Sequence, residues 1–142
     1  MLASLQEKLG IGNEASFMAG SSLAGGVARY GETCGALTGA LMALGTVAGR
    51  KRIEDYDAYQ ACMELAYEVR AKFLERVGHT LCGEIHKILL GRTYHLYDDE
   101  DRERFHEDGG HERTGCPGVC GKAARIAAEI ILREGEKAKT EE

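Results

Sequence analysis

The residues of this chain best suited to redox or metal chemistry are its cysteines, because a cysteine thiolate is both a nucleophile and a metal ligand. Cys34, Cys82, Cys116 and Cys120 lie at, or within one turn of, predicted helix N-termini. The free amides and partial positive charge of a helix N-terminus stabilise anions, including thiolates. The fifth cysteine, Cys62, lies on the apolar stripe of a long predicted helix, where a small side chain is expected to pack in the core.

The sequence leaves two interpretations of the first four cysteines open. If they converge, their thiolates bind a metal ion or cluster, and the helix N-termini offset the negative charge of that centre. If they do not converge, each is a separate buried residue, which is a common role for free cysteine. Cys116 and Cys120 are four residues apart and can share one helix face. That CxxxC spacing is a weaker signal than paired CxxC motifs, and the sequence contains no such pair.

The histidines offer a second set of ligands, and all five lie between residues 79 and 111. His79 and His86 flank Cys82 at −3 and +4, offsets that place a ring beside the thiol on a helix. A zinc site with two histidines and two cysteines is therefore an alternative. Covalently attached haem is excluded because the sequence has no CxxCH motif. The remaining histidines are expected to face solvent in a polar region: His95, His106 and His111.

Composition and charge exclude several classes of function. The 142 residues include 18 Lys and Arg against 23 Asp and Glu, a net charge of −5, so the chain lacks the basic surface that binds nucleic acid. The longest apolar stretch, residues 34–48, is shorter than the roughly 20 residues that span a bilayer. No secretory signal begins the sequence. We therefore expect a cytoplasmic protein with reduced thiols that contacts neither nucleic acid nor membrane.

The elements that position the cysteines are predicted to be helices, because alanine and leucine, which are not branched at Cβ, outnumber β-branched residues. Residues 34–48 form a Gly/Ala-rich helix, and glycines in a helix interior indicate a neighbouring backbone packed very close. This helix is expected to be central. Residues 1–142 are thus predicted to form a single all-α domain, a compact bundle of about five to six helices.

Capping signals place the other helices. Helices are predicted at residues 2–9, at 13–24 with Asn13 as cap, at 56–77 with Asp55 as cap, and at 81–90 with Thr80 as cap. A last helix begins near Pro117. Residues 98–112 contain eight acidic residues and two arginines, and we expect an acidic surface excursion there. The charged tail, residues 134–142, is expected to fray.

Residues 31–41 have the sequence GETCGALTGAL, whose glycine spacing is unusual. This stretch resembles the C_GCAxxG_C_C family of redox-active proteins, which is related to the non-haem part of split-Soret cytochromes. The resemblance covers roughly residues 2–132, nearly the whole chain. Outside the central motif it includes Leu44, Gly45, Gly49, Arg50, Phe73, Gly78, Cys82, Leu90, Gly91, Cys120 and Ala127 to Ile130.

The resemblance implies a helical redox protein whose cysteines bind an iron–sulfur centre in some relatives, with no settled enzymatic reaction. Cys34, Cys82 and Cys120 match the second, third and fourth cysteine positions of the family. The first lies in an N-terminal helix of family members, and this chain, which begins just after that place, has no cysteine before Cys34. Either Cys116 supplies the missing ligand, or a histidine, a water, an exogenous ligand or a second subunit of a homodimer completes the site. We adopt Cys116.

The leading prediction is a redox or electron-transfer protein with an iron–sulfur centre bound by Cys34, Cys82, Cys116 and Cys120. That role requires a redox partner that exchanges electrons with the centre. One alternative is a thiol–disulfide oxidoreductase in which Cys116 and Cys120 cycle and Cys34 or Cys82 resolves. The other is a non-catalytic zinc-binding module.

Overall fold

Seven α-helices and one 3₁₀ turn make up the regular structure of residues 1–140, the part of the chain that the computed structural model describes. The all-α prediction is confirmed, with one helix more than the upper expectation. The helices are α1 (Leu2–Leu9), α2 (Glu14–Gly20), α3 (Gly35–Ala48), α4 (Tyr56–Val77), α5 (Cys82–Leu90), α6 (Asp99–Glu107) and α7 (Cys116–Thr140), with the 3₁₀ turn at Ser21–Leu23.

The Gly/Ala-rich helix α3 is central, as its composition predicted, and it packs against α1, α2, α4 and α7. At Gly39 an added Cβ would lie 2.5 Å from the terminal methyl of Met1 and 3.8 Å from the Cβ of Leu2. Glycine therefore lets the start of α1 lie directly on α3. The buried residues of this helix are Ala36, Leu37, Gly39, Ala40, Ala43 and Leu44.

The two longest helices, α4 and α7, pack on α3 and on each other. Ion pairs tie them together at the surface: the Arg133 guanidinium donates to both carboxylate oxygens of Glu68, at 2.9 and 2.8 Å, and Arg76 pairs with Glu129 at 3.1 Å. Neither these helices nor any other within residues 1–140 is both long enough and apolar enough to cross a membrane. The buried residues of α7 are Val119, Ala123, Ile126, Ala127, Ile130 and Ile131.

The apolar stripe predicted along α4 is buried only in its C-terminal half. Val69 and Phe73 lie in the core, whereas Tyr59 is exposed and Cys62 is only half-buried. The ion pairs of α4 with α7, made by Glu68 and Arg76, also lie in this half. The expectation that Cys62 packs in the core is therefore only partly met.

Residues 98–112 differ in part from the solvated excursion that their charge predicted: most of them are exposed, but some are buried. They contain α6, whose first turn is capped by the Asp98 carboxylate accepting from the Asp101 amide at 2.9 Å. Phe105 is only 2% exposed and packs with Tyr94 and Leu96 in a second, small core. The helical period explains the difference, because it turns one aromatic side chain inward while most of the acidic residues face solvent.

Three element boundaries also differ from prediction. The helix capped by Asn13 ends at Gly20, and the 3₁₀ turn replaces its expected last turn. The cap of α5 is Leu81 rather than Thr80, whose carbonyl instead accepts a hydrogen bond from the Cys34 amide. Helix α7 continues to residue 140 instead of fraying from 134, while residues 141 and 142 of the predicted tail lie outside the described residues.

Replacing Gly110 with alanine should destabilise the fold, because an added Cβ would overlap the ring of Phe105. Overpacking a filled site typically lowers the free energy of unfolding by about 1–3 kcal/mol, which urea denaturation would measure. Gly135→Ala in α7 is the control, because no atom of the described residues lies within 4 Å of its added Cβ. It should be neutral or stabilising by up to about 1 kcal/mol. An unchanged Gly110→Ala protein would contradict the packing of Phe105 against Gly110.

Candidate cysteine site

The four cysteines predicted as site residues line the same cavity, which has a volume of about 420 Å³. Cys62 is not among its lining residues. Most of the wall is apolar and is formed by Leu2, Phe17, Leu23, Met42, Ile85 and Leu96. His86 and His111 also line it, together with Phe105 from α6. The structure thus brings together soft sulfur ligands, an imidazole and an apolar enclosure.

Each of these cysteines stands at the start of a helix, as the sequence predicted. Cys34 is the N-cap of α3, and Cys82 and Cys116 are the first residues of α5 and α7. Cys120 follows one turn into α7. Three helix N-termini therefore meet at the cavity, and their partial positive charges favour negative sulfur.

Backbone hydrogen bonds hold the starts of α3 and α5 side by side. The Cys34 amide donates to the Thr80 carbonyl at 2.9 Å, and the Cys82 amide donates to the Glu32 carbonyl at 2.6 Å. An isolated antiparallel β-bridge joins the two residues that directly precede these cysteines. Two cysteines that are 48 positions apart in sequence are thereby fixed as neighbours by main chain alone.

A left-handed backbone segment covers this junction. Five consecutive residues, 25–29, have positive φ, including the non-glycine residues Val27, Ala28 and Arg29. An L-residue in this conformation costs roughly 1–2 kcal/mol, so the surrounding hydrogen bonds must hold the segment in place. At Gly26 an added Cβ would lie only 2.6 Å from the Cβ of Cys82. The sequence predicted a break at these glycines but not the left-handed turn that follows them.

The pKa values of Cys34 and Cys82 are shifted in opposite directions. A hydrogen bond from the Cys82 thiol, together with the backbone amides of Ala36 and Leu37, lowers the pKa of Cys34 from 9.0 to about 7. The same hydrogen bond and burial raise the pKa of Cys82. Cys34 is therefore substantially a thiolate at neutral pH, and Cys82 is the protonated thiol that stabilises it.

The two cysteines of α7 are protonated thiols in this state. Burial, and then the negative charge of the Cys34 thiolate, raise the pKa of Cys116 to about 11. Burial also raises the pKa of Cys120. Only one of the four sulfurs thus carries a negative charge readily, because a second thiolate in the same apolar cavity would be repelled by the first.

The two histidines that flank Cys82 in sequence have different places. His86 lines the cavity, and its Nε2 lies 3.5 Å from the Cys82 Sγ. His79 does not line it, and its Nδ1 accepts a hydrogen bond from the Leu81 amide at 3.0 Å. His111, expected to face solvent only, is exposed yet also reaches the cavity wall. Within residues 1–140, no three His, Cys, Asp or Glu side chains stand where they would hold one metal ion without moving.

Sequence reasoning missed Phe105 as a residue of the site. Its neighbours in sequence are charged or polar, so the sequence did not indicate that Phe105 is buried. Only the helical period of α6 would have indicated an inward face. Its ring lies 4.8 Å from that of His86, centroid to centroid. The acidic segment therefore contributes a wall of the cavity.

Residues 1–130 match the model of a family described as "Putative redox-active protein (C_GCAxxG_C_C)". The chain belongs to this family. Membership confirms the resemblance drawn from residues 31–41, and the matched region includes all four cavity cysteines. No curated protein and no solved structure matches the chain.

The low pKa of Cys34 leads us to predict how the alkylation of this residue depends on pH in the reduced, metal-free protein. Because the thiolate is the nucleophile, the rate of Cys34 alkylation by iodoacetamide should rise with pH through about 7 and level off above it. Cys82→Ala removes the donated hydrogen bond, so the midpoint should move up toward 9.0. Mass spectrometry of the Cys34 peptide measures both rates. Equal midpoints in the two proteins would rule out Cys82 as the stabilising group.

Proposed function

We propose that this member of the family is an electron-transfer protein whose iron–sulfur centre is bound by Cys34, Cys82, Cys116 and Cys120. The observation that carries the proposal is the presence of these four thiols in one cavity at three helix N-termini. Thiolates are the protein ligands of iron–sulfur clusters. When bound, such a cluster supplies one-electron chemistry, accepting an electron from one partner and passing it to another.

The electrostatics of the cavity suit a thiolate-bound cluster. Within the described part of the chain, no Lys, Arg, Asp or Glu is among the lining residues, so the helix N-termini provide the main compensating charge. Cys34 is already deprotonated near neutral pH, whereas Cys116 and Cys120 must lose protons on binding. Loading should therefore release protons and become more favourable as pH rises.

The apolar wall supports a redox role in a second way. Its aliphatic and aromatic side chains limit the access of water to the sulfurs, and both burial and hydrogen bonding to sulfur set the potential of a cluster. The backbone amides of Ala36 and Leu37, at the start of α3, contribute to the lowered pKa of Cys34. The arrangement thus offers two of the means by which proteins adjust such a centre.

A thiol–disulfide reaction is the second candidate, and the Cys34–Cys82 pair is the observation that favours it. The Cys34 thiolate would attack a disulfide of a partner protein, forming a mixed disulfide and releasing one partner thiolate. Cys82 would then give its proton to the released partner thiolate and, as a thiolate, attack the Cys34 sulfur of the mixed disulfide, displacing the second partner sulfur. The partner gains two electrons and the pair loses two, leaving a Cys34–Cys82 disulfide. The structure favours this pair over the Cys116–Cys120 pair proposed from sequence spacing.

Analysis of protein purified without oxygen separates the candidates. Iron and acid-labile sulfide bound to the wild-type chain, with a brown colour, support the cluster. Zinc without sulfide would instead identify a zinc-binding module. Protein that holds no metal but forms a reversible Cys34–Cys82 disulfide would support the oxidoreductase.

Single substitutions test the ligand set. Cys34→Ala, Cys82→Ala and Cys120→Ala should each abolish or strongly weaken iron binding, because each removes a thiolate and opens the centre to solvent. Cys62→Ala is the matched control, since Cys62 does not line the cavity, and it should bind iron fully. Iron and sulfide per chain are the measurement.

Cys116→Ala decides the fourth ligand. Loss of iron supports Cys116 as the replacement for the family's first cysteine. Full iron content would instead mean that three cysteines hold the cluster together with a ligand from outside this set. Retention of iron in all four cavity variants would contradict the proposed centre.

A further inference from the structure

His86 is the most deeply buried polar side chain at the cavity, with no exposed surface. It lies one turn after Cys82 on α5. Its Nε2 is 3.5 Å from the Cys82 Sγ and 3.9 Å from the Cys116 Sγ. One ring nitrogen therefore faces sulfurs that belong to two different helices.

Aromatic packing fixes the direction of this ring. The ring of Phe105 lies 4.8 Å from it and that of Tyr94 lies 5.9 Å from it in an edge-on arrangement. Tyr94 is held in turn by a hydrogen bond from its hydroxyl to the Asp108 carboxylate at 2.6 Å. The segment around α6 thus holds the imidazole against the sulfurs.

The other ring nitrogen, Nδ1, is buried and has no hydrogen-bond partner in the part of the chain that the structure describes. The ring has no exposed surface, and burial favours the neutral imidazole, which carries one proton. A proton on Nδ1 would create a buried N–H donor without an acceptor, which is unfavourable. A proton on Nε2 instead points at sulfur acceptors, so Nε2 is the protonated nitrogen.

The sulfurs that face Nε2 lead to the same assignment. In the proposed centre the Cys82 and Cys116 sulfurs are thiolates, which have no proton to donate. They can only accept a hydrogen bond, so Nε2 is the donor to both.

With this protonation state His86 is a hydrogen-bond donor, whereas the cysteines are the proposed ligands. A metal-bound histidine uses the lone pair of one nitrogen and donates its other N–H to a carboxylate, carbonyl or water. Here Nδ1 has no such acceptor among the described residues. A donor facing the sulfurs fits the surroundings better than a ligand.

We propose that His86 Nε2–H donates a hydrogen bond to the sulfurs of Cys82 and Cys116 in the iron–sulfur centre and so raises its reduction potential. This inference rests on the proposed function. Reduction adds negative charge to the centre, and a hydrogen bond strengthens as its acceptor becomes more negative. His86 therefore stabilises the reduced state more than the oxidised state. It is a positioning residue of the centre.

Substitution of His86 tests the proposal through the midpoint potential, measured by redox titration at one pH with EPR detection. His86→Leu removes the donor and should bind the full complement of iron with a more negative potential. His86→Gln keeps an N–H donor at a similar distance along the side chain and should recover much of the wild-type potential. His106→Leu is the control, because His106 is exposed and does not line the cavity, and it should leave the potential unchanged.

The outcomes are distinguishable. An unchanged potential in iron-loaded His86→Leu would overturn the inference, and so would loss of iron from a variant that remains folded by circular dichroism, which would make His86 a ligand. If His86→Leu does not fold, pulsed EPR of reduced wild-type protein with ¹⁵N-labelled histidine decides. Weak nitrogen coupling with a proton that exchanges in D₂O supports donation, and strong coupling overturns it. Wild-type protein without iron and sulfide would refute the proposed function itself, and the inference with it.

Discussion

Main-chain pairing between the starts of α3 and α5 is the constraint on which the site depends. The Cys34 amide donates to the Thr80 carbonyl, and the Cys82 amide donates to the Glu32 carbonyl. Each carbonyl lies two residues before the other cysteine, so main-chain hydrogen bonds bring the two cysteines together. That proximity lets one thiol donate to the other, and the shared proton separates their pKa values. The geometry leaves one charged sulfur and three neutral thiols in an apolar cavity, a state that avoids mutual repulsion.

The left-handed segment shows how closely the chain must approach this junction. Residues 25–29 adopt an unfavourable conformation, and Gly26 lies against Cys82 where a Cβ has no room. Strain of this kind persists only where the surrounding structure over-determines it. Here the amides of Ala28 and Arg29 donate back to residues at the end of the preceding helical region, at 2.8 and 3.1 Å. The first residue of the segment, Gly25, lines the cavity beside the cysteines.

The region around α6 connects a charged surface to the interior of the site. Asp101 accepts hydrogen bonds from Arg92 at 2.7 Å and from the His95 amide at 2.8 Å, which fixes the loop before the helix. Phe105 then extends from the same helix to the ring of His86. Helix α6 thus has most of its acidic residues in solvent and Phe105 against His86 on its inner face, because the diameter of the helix separates the two faces.

Local sequence determined the helices and the place of the cysteines on them. The structure reproduces the helix ends predicted at residues 9, 77 and 90, where Gly10, Gly78 and Gly91 form left-handed caps, because capping depends only on neighbouring residues. The four cysteines were assigned to helix starts for the same reason. Tertiary structure alone brought those starts to one cavity, buried Phe105, and placed His86 rather than His79 beside the sulfurs. Convergence, burial and proton affinity depend on atoms distant in the chain, and no local pattern specifies which of them will meet.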